Sequence, residues 1–162
     1  MRWDLISEFE FLKKGSQARA YKDFHGSEDF FKDHFPDRPL VPEVFFMEMI
    51  AQAGGVLVGL GIDFRKEVIL AKISEARFSC VVAPPCRLSI ETWIEEEREE
   101  GGLVSGVVRN KGQEVASAKI FLVTIDSLIQ TGNGKRVVFN DGFLKHYRIH
   151  EVVEKSLKVA SC

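Results

Sequence analysis

Apolar residues change their spacing along the chain, and the changes divide it into elements. Glu8 to Lys13 and Gln17 to Phe24 are short strand-like runs joined by Lys14-Gly15-Ser16, whose turn chemistry predicts a hairpin. The chain then passes through Gly26-Ser27-Glu28-Asp29 and Phe30-Phe31 into a proline-punctuated stretch, His34 to Pro42. From about Pro42 to Leu60 nearly every residue is apolar. Pro42 has the fixed φ suited to a first helical position, so a helix is predicted there, with Gly59 and Gly61 bringing it to an end.

Asp63 to Glu67 reads as a polar connection, and from Lys72 the period falls to two, with Ala76, Phe78, Cys80 and Val82 alternating with Arg77, Ser79 and Val81. Pro84-Pro85 interrupts the pattern. The next strand sets Leu88, Ile90, Thr92 and Ile94 against Ser89, Glu91, Trp93 and Glu95, and the acidic run Glu95 to Glu100 reads as an exposed strand end and turn. Leu103 to Asn110 and Gln113 to Ile125, on either side of Lys111-Gly112, predict a further hairpin.

These elements sum to a long antiparallel sheet with one helix between early and late strands. A helix apolar on nearly all sides has to be covered, and a sheet that covers it must wrap around it, which gives an α+β fold. That unit spans residues 1–126. Residues 127–162 form a C-terminal helical extension. In it Thr131-Gly132-Asn133-Gly134 reads as a turn, Val137 to Phe139 as a brief strand, and Asn140 or Asp141 as the cap of a final helix. That helix carries Phe143, Tyr147, His150 and Val153 on the face that docks on the body or on a neighbour.

The central helix holds two charged side chains, Glu43 at its start and Glu48 in its second turn. A carboxyl among so many apolar neighbours is expected to be poorly solvated, which favours its neutral form. Gln52, four residues on, shares its face and can orient it. His34 precedes the helix on a loop that prolines stiffen. A histidine and a carboxyl on one loop-to-helix unit are a candidate base and acid.

His34, Phe35, Pro36, Pro39 and Pro42, followed by Glu48 fourteen residues after the histidine and then by Ala51 and Gln52, resemble the signature of the 3-hydroxyacyl-[acyl-carrier-protein] dehydratases, which have the hot-dog fold. The resemblance reaches from about Phe30 to about Asp126. It implies removal of water from a (3R)-3-hydroxyacyl thioester in fatty-acid synthesis, with His34 and Glu48 catalytic, no cofactor and no metal. It also implies a partner, acyl carrier protein, and a homodimer that puts His34 and Glu48 of different subunits in one site, with a trimer of dimers as a larger assembly. The substrate-binding candidates are Glu43 and Val44, whose N-H groups face the thioester carbonyl, together with Phe35 and Gln52. Phe45, Phe46 and Met47 are further candidates for an acyl channel, and Arg38, Arg77 and Arg109 for contacts with the carrier.

Two positions depart from the family pattern. Asp37 and Glu43 stand where the family has glycine, and a Glu43 carboxylate turned inward would compete for the donors that an enolate oxygen needs. Two other readings of the fold therefore stay open: a thioesterase that hydrolyses the same bond, and a non-catalytic subunit that binds acyl thioesters.

Composition narrows the setting. With 162 residues, 45% hydrophobic and 28% charged, the chain is expected to make one globular core, and a net charge of −2 gives no attraction to nucleic acid. No uninterrupted apolar run suggests a membrane span and the N-terminus has no signal-peptide core, so a cytoplasmic setting is the expectation. Cys80, Cys86 and Cys162 fit neither a disulfide framework nor a metal spacing, and Cys86 reads as a small turn residue. His25 reads as structural. His146 and His150 stand four apart with no third ligand evident.

Overall fold

The computed structural model describes residues 4–126 and 138–159. Its order is β1 (Glu8–Lys13), β2 (Gln17–Phe24), a short 3-10 turn (Asp29–Lys32), α1 (Val44–Gly61), β3 (Glu67–Phe78), β4 (Cys86–Arg98), β5 (Gly101–Asn110), β6 (Gln113–Ile125), α2 (Asp141–His146) and α3 (Ile149–Val159). The six strands form one antiparallel sheet in the order β1-β2-β4-β5-β6-β3. It wraps α1, as expected for a hot-dog fold. The contact is close: a Cβ on Gly54 would come within 2.9 Å of Val104, and one on Gly106 within 2.7 Å of Ile50.

By length and composition α1 could cross a membrane, but 67% of it is buried inside the fold. It is the core of the sheet rather than a span. Pro42 lies just outside the helix, its carbonyl accepting the Phe45 N–H at 2.9 Å. Gly59 lies inside the helix, not at its end. A Cβ there would meet Phe64 at 2.8 Å and Phe139 at 3.1 Å, so this glycine makes room for two rings.

The alternation predicted from Lys72 onward is only partly realised. The strand begins earlier, at Glu67, which is buried, and ends at Phe78, leaving Cys80 and Val82 beyond it. From Leu70 to Phe78 its residues are exposed on both faces, and β3 is an edge strand with no described neighbour on its far side. The opposite edge is covered: α3 lies along β1, and Ser156 Oγ accepts the Leu12 N–H at 2.9 Å.

The C-terminal segment differs from its pattern in one respect. Asn140 caps α2, its side chain accepting the Phe143 N–H at 2.9 Å, but the helix breaks at Arg148, whose φ is +51°. The break rotates the following turn. Tyr147, Ile149, Val152 and Ser156 are therefore the buried positions, and His150 is exposed. Val138 and Phe139 lie in a bend rather than a strand, and the turn expected at Thr131–Gly134 lies outside the described residues.

Candidate active site

The loop that carries His34 is fixed at both ends. Phe31 is buried, Phe30 packs on Phe45 with ring centroids 5.1 Å apart, and the Phe30 carbonyl accepts the His34 N–H at 3.0 Å. Downstream, Val41 donates its N–H to the Val82 carbonyl at 2.8 Å. Between these anchors the Leu40 N–H donates to the His34 carbonyl at 2.9 Å, closing the loop on itself.

The His34 ring is half-buried, and its Nδ1 lies 3.2 Å from the Leu40 carbonyl oxygen. A carbonyl oxygen can only accept, so Nδ1 carries the proton and donates it. In the neutral ring Nε2 is then left with its lone pair, which is the requirement for a base. Phe35, exposed, stacks on the imidazole at a centroid distance of 4.3 Å.

Glu48 corrects an expectation. It is exposed in the single chain, not buried, because Val44, Glu48 and Gln52, four residues apart, form the one stripe of α1 that the sheet leaves uncovered. The orienting contact is present: Gln52 Nε2 donates to Glu48 Oε1 at 3.0 Å, and Gln52 Oε1 accepts the Leu5 N–H at 3.2 Å. Glu48 and Gln52 form the polar wall of a cavity of about 190 Å³ that continues past Ala51 and Gly55, between α1 and the start of β3. His34 is not among its lining residues, so one chain does not bring the two groups into one cavity.

Glu43 is half-buried at the N-cap of α1 and makes no side-chain capping hydrogen bond. Phe45 and Phe46 spend their N–H groups on the carbonyls of Pro42 and Glu43, at 2.9 and 3.0 Å. The N–H groups of Glu43 and Val44 are the donors left for a ligand at this terminus. The acyl-channel candidates separate: Phe46 and Met47 are buried in the core, Phe45 packs on Phe30, and none of the three lines the cavity beside Glu48. Sequence reasoning missed Val138, Phe139 and Phe143, which do line it. Their only signals were the short apolar run before the predicted cap, for Val138 and Phe139, and the helical spacing after it, for Phe143.

Among the candidate carrier contacts, Arg109 is paired with Glu91 at 3.2 Å, while Arg38 and Arg77 are exposed on the histidine loop and on the edge strand. Burial pushes the Cys86 thiol up to about 11, with Glu28 and Asp23 adding to the shift, so this sulfur is a poor nucleophile near neutral pH. His146 faces Asp4 at 3.2 Å and sits edge-on to Tyr147.

Residues 4–119 match the model of the FabA-like domain. The chain belongs to the FabA-like family. A relative in Clostridium tetani, a 3-hydroxyacyl-[acyl-carrier-protein] dehydratase FabZ, is 34% identical over 121 residues, covering 74% of this chain and 84% of that protein. Two solved structures share the fold at 20% identity. An uncharacterized protein from Pyrococcus horikoshii has a TM-score of 0.60 over 76% of this chain and 85% of its own. The dehydratase heterocomplex ApeI:P from Xenorhabdus doucetiae has 0.55 over 67% and 88%. The residues beyond 119, including α2 and α3, lie outside the family match.

Proposed function

We propose that this FabA-like protein is a dehydratase of fatty-acid synthesis that converts a (3R)-3-hydroxyacyl thioester, carried on acyl carrier protein, to the trans-2-enoyl thioester. The observation that carries the reading is the His34 Nδ1–Leu40 contact, which leaves Nε2 free to take a proton. The FabZ relatives support it, since their name states this reaction class.

Nε2 of His34 removes the proton from the carbon next to the thioester carbonyl. The pair of electrons left behind forms the new double bond as the bond from the third carbon to its hydroxyl breaks. Glu48, oriented by Gln52 and kept protonated when a second subunit covers the open stripe of α1 and desolvates it, gives its proton to the departing hydroxyl, which leaves as water. Charge that builds on the carbonyl oxygen is stabilised by the N–H groups of Glu43 and Val44 at the start of α1. Passage of the proton from His34 back to Glu48, by way of solvent, completes the cycle.

His34 and Glu48 meet across a dimer in this reading. Support comes from the edge strand β3, which leaves Ile73 43% and Phe78 49% exposed, and from Val44 on the open stripe of α1, 68% exposed. A long apolar edge is a hazard for a lone chain and is ordinarily covered. A second copy covers it with its own β3. Arg38 and Arg77 then supply positive charge for an acidic carrier, and the protein works in the cytoplasm where that carrier acts.

Loss of enoyl absorbance on hydration of a trans-2-enoyl thioester, abolished in His34→Ala and in Glu48→Gln with the fold intact, is the expected result. Release of free thiol without loss of that absorbance favours the thioesterase reading. Activity seen only after Glu43→Gly favours the non-catalytic one.

A further inference from the structure

Resting on the dehydratase reading, we infer that the C-terminal segment fixes the depth of the acyl site and restricts the protein to 3-hydroxyacyl chains of up to about eleven carbons. The cavity that begins at Glu48 and Gln52 is floored by Val138, Phe139 and Phe143, residues outside the family match. Its walls are apolar beyond the polar end, so the hydroxyl end of a substrate belongs at Glu48 and the alkyl end runs along the helix past Ala51 and Gly55.

Phe139 stops that run. Its ring lies 3.9 Å from a Cβ built on Gly55 and 3.1 Å from one built on Gly59, and it is buried. Glu48 and Gly55 are separated along the helix axis by roughly 10 Å at 1.5 Å per residue. An extended chain advances roughly 1.2 Å per bond, taking a fully extended residue as three bonds, so about eight bonds beyond the hydroxyl-bearing third carbon, to about the eleventh carbon, fill the distance. The volume agrees: a cavity of roughly 150 Å³ takes the six carbons of benzene, and this one measures about 190 Å³.

The floor is anchored rather than loosely laid. Phe139 packs edge-on against Phe64 at 5.1 Å and against Phe143 at 5.3 Å, and Phe143 in turn meets Tyr147 at 4.8 Å. Tyr147 meets Phe9 of β1 at 5.5 Å and donates its hydroxyl to Asp4. Just before Phe139, the buried Glu67 of β3 accepts the Val138 N–H at 3.1 Å. A row of rings from Phe64 to Phe9 thus ties the segment to both sides of the site, and an alkyl chain longer than the cavity would have to part it.

The test is a chain-length profile: kcat/KM of the full chain for 3-hydroxyacyl thioesters of four, eight, twelve and sixteen carbons. The expected result is comparable turnover of the first two and a fall of about tenfold or more at twelve. Phe143→Ala, whose side chain is only partly buried, and Phe139→Ala are expected to raise the twelve-to-four ratio about tenfold. Gly55→Leu, which fills the cavity from the helix side, is expected to lower the eight-to-four ratio. Each variant is checked for a native far-UV spectrum and a cooperative melt, and Gly55→Leu and Phe143→Ala keep the test open if Phe139→Ala does not fold. Equal turnover of four and sixteen carbons, or ratios unmoved in folded variants, overturns the inference alone. No turnover at any length overturns the dehydratase reading and the inference with it.

Discussion

Gln52 Nε2 donates to Glu48 Oε1 at 3.0 Å across one turn of α1, while the amide oxygen of Gln52 accepts the Leu5 N–H at 3.2 Å. The carboxyl is thereby held by a side chain that is itself held by the segment entering β1. Gln52→Ala is expected to lower kcat about tenfold, equivalent to about 1.4 kcal/mol of barrier. In a Glu48→Gln background the same change should cost little, because its effect passes through Glu48. Steady-state kinetics of the two single variants and the double variant measure this, and full additivity would count against a positioning role.

His34→Ala should lower kcat/KM by about 10²- to 10⁴-fold, the usual worth of a positioned acid or base. His34→Asn keeps a donor toward Leu40 but offers no basic nitrogen, so it should lose a similar amount while preserving the loop. Turnover of a 3-hydroxyacyl thioester, with the melt as control, decides the matter.

Ile73→Lys places a charge in the middle of the exposed part of β3. Light scattering after size exclusion should show the proposed dimer shifting to monomer, and activity should fall in step with the dimer fraction. A fully active monomer would defeat the shared-site arrangement.

Gly59→Ala is expected to destabilise the protein by about 1–3 kcal/mol, because the added methyl overpacks a filled space. The obstruction is specific: Phe64 lies at 2.8 Å and Phe139 at 3.1 Å from the new atom. Gly55→Ala, where Phe139 at 3.9 Å is an ordinary contact, should be tolerated far better. Urea denaturation compares the two.

Asp23 and Arg87 face each other across β2 and β4 with two hydrogen bonds, each 2.7 Å, and the guanidinium hydrogen bond holds the Asp23 carboxyl below its ordinary range. A carboxyl whose folded value is depressed adds stability that is present above its unfolded value, about 3.9. That contribution is lost as pH falls through the folded value. Asp23→Asn should accordingly be less stable than the parent near neutrality and lose less on acidification below about pH 4. Denaturant midpoints measured against pH check both points.

Much of the fold was legible in local pattern. The hairpin turn at Lys14-Gly15-Ser16, the strand pair around Lys111-Gly112 and the helix bounded by Pro42 and Gly61 each rest on spacing and turn chemistry, and the sheet forms around that helix. The pairing of Glu48 with Gln52 was equally readable, since four residues on a helix always share a face. Gly59 was misread for the same reason that the others were read well. A glycine near a helix end looks like a stop, and only the rings of Phe64 and Phe139, distant in sequence or lying past it, give it a packing role.

What the sequence determined by itself was therefore whatever neighbours in the chain decide: periodicity, turns, caps and the spacing of His34 from Glu48. Which way Glu48 faces, which edge of the sheet stays open and what closes the cavity were decided by the tertiary structure. The open stripe of Val44, Glu48 and Gln52 exists because the sheet covers the rest of α1, and the floor at Phe139 exists because α2 and α3 fold back across β1 and α1. These outcomes depend on contacts between residues up to 144 positions apart, and no local pattern encodes where such partners will meet.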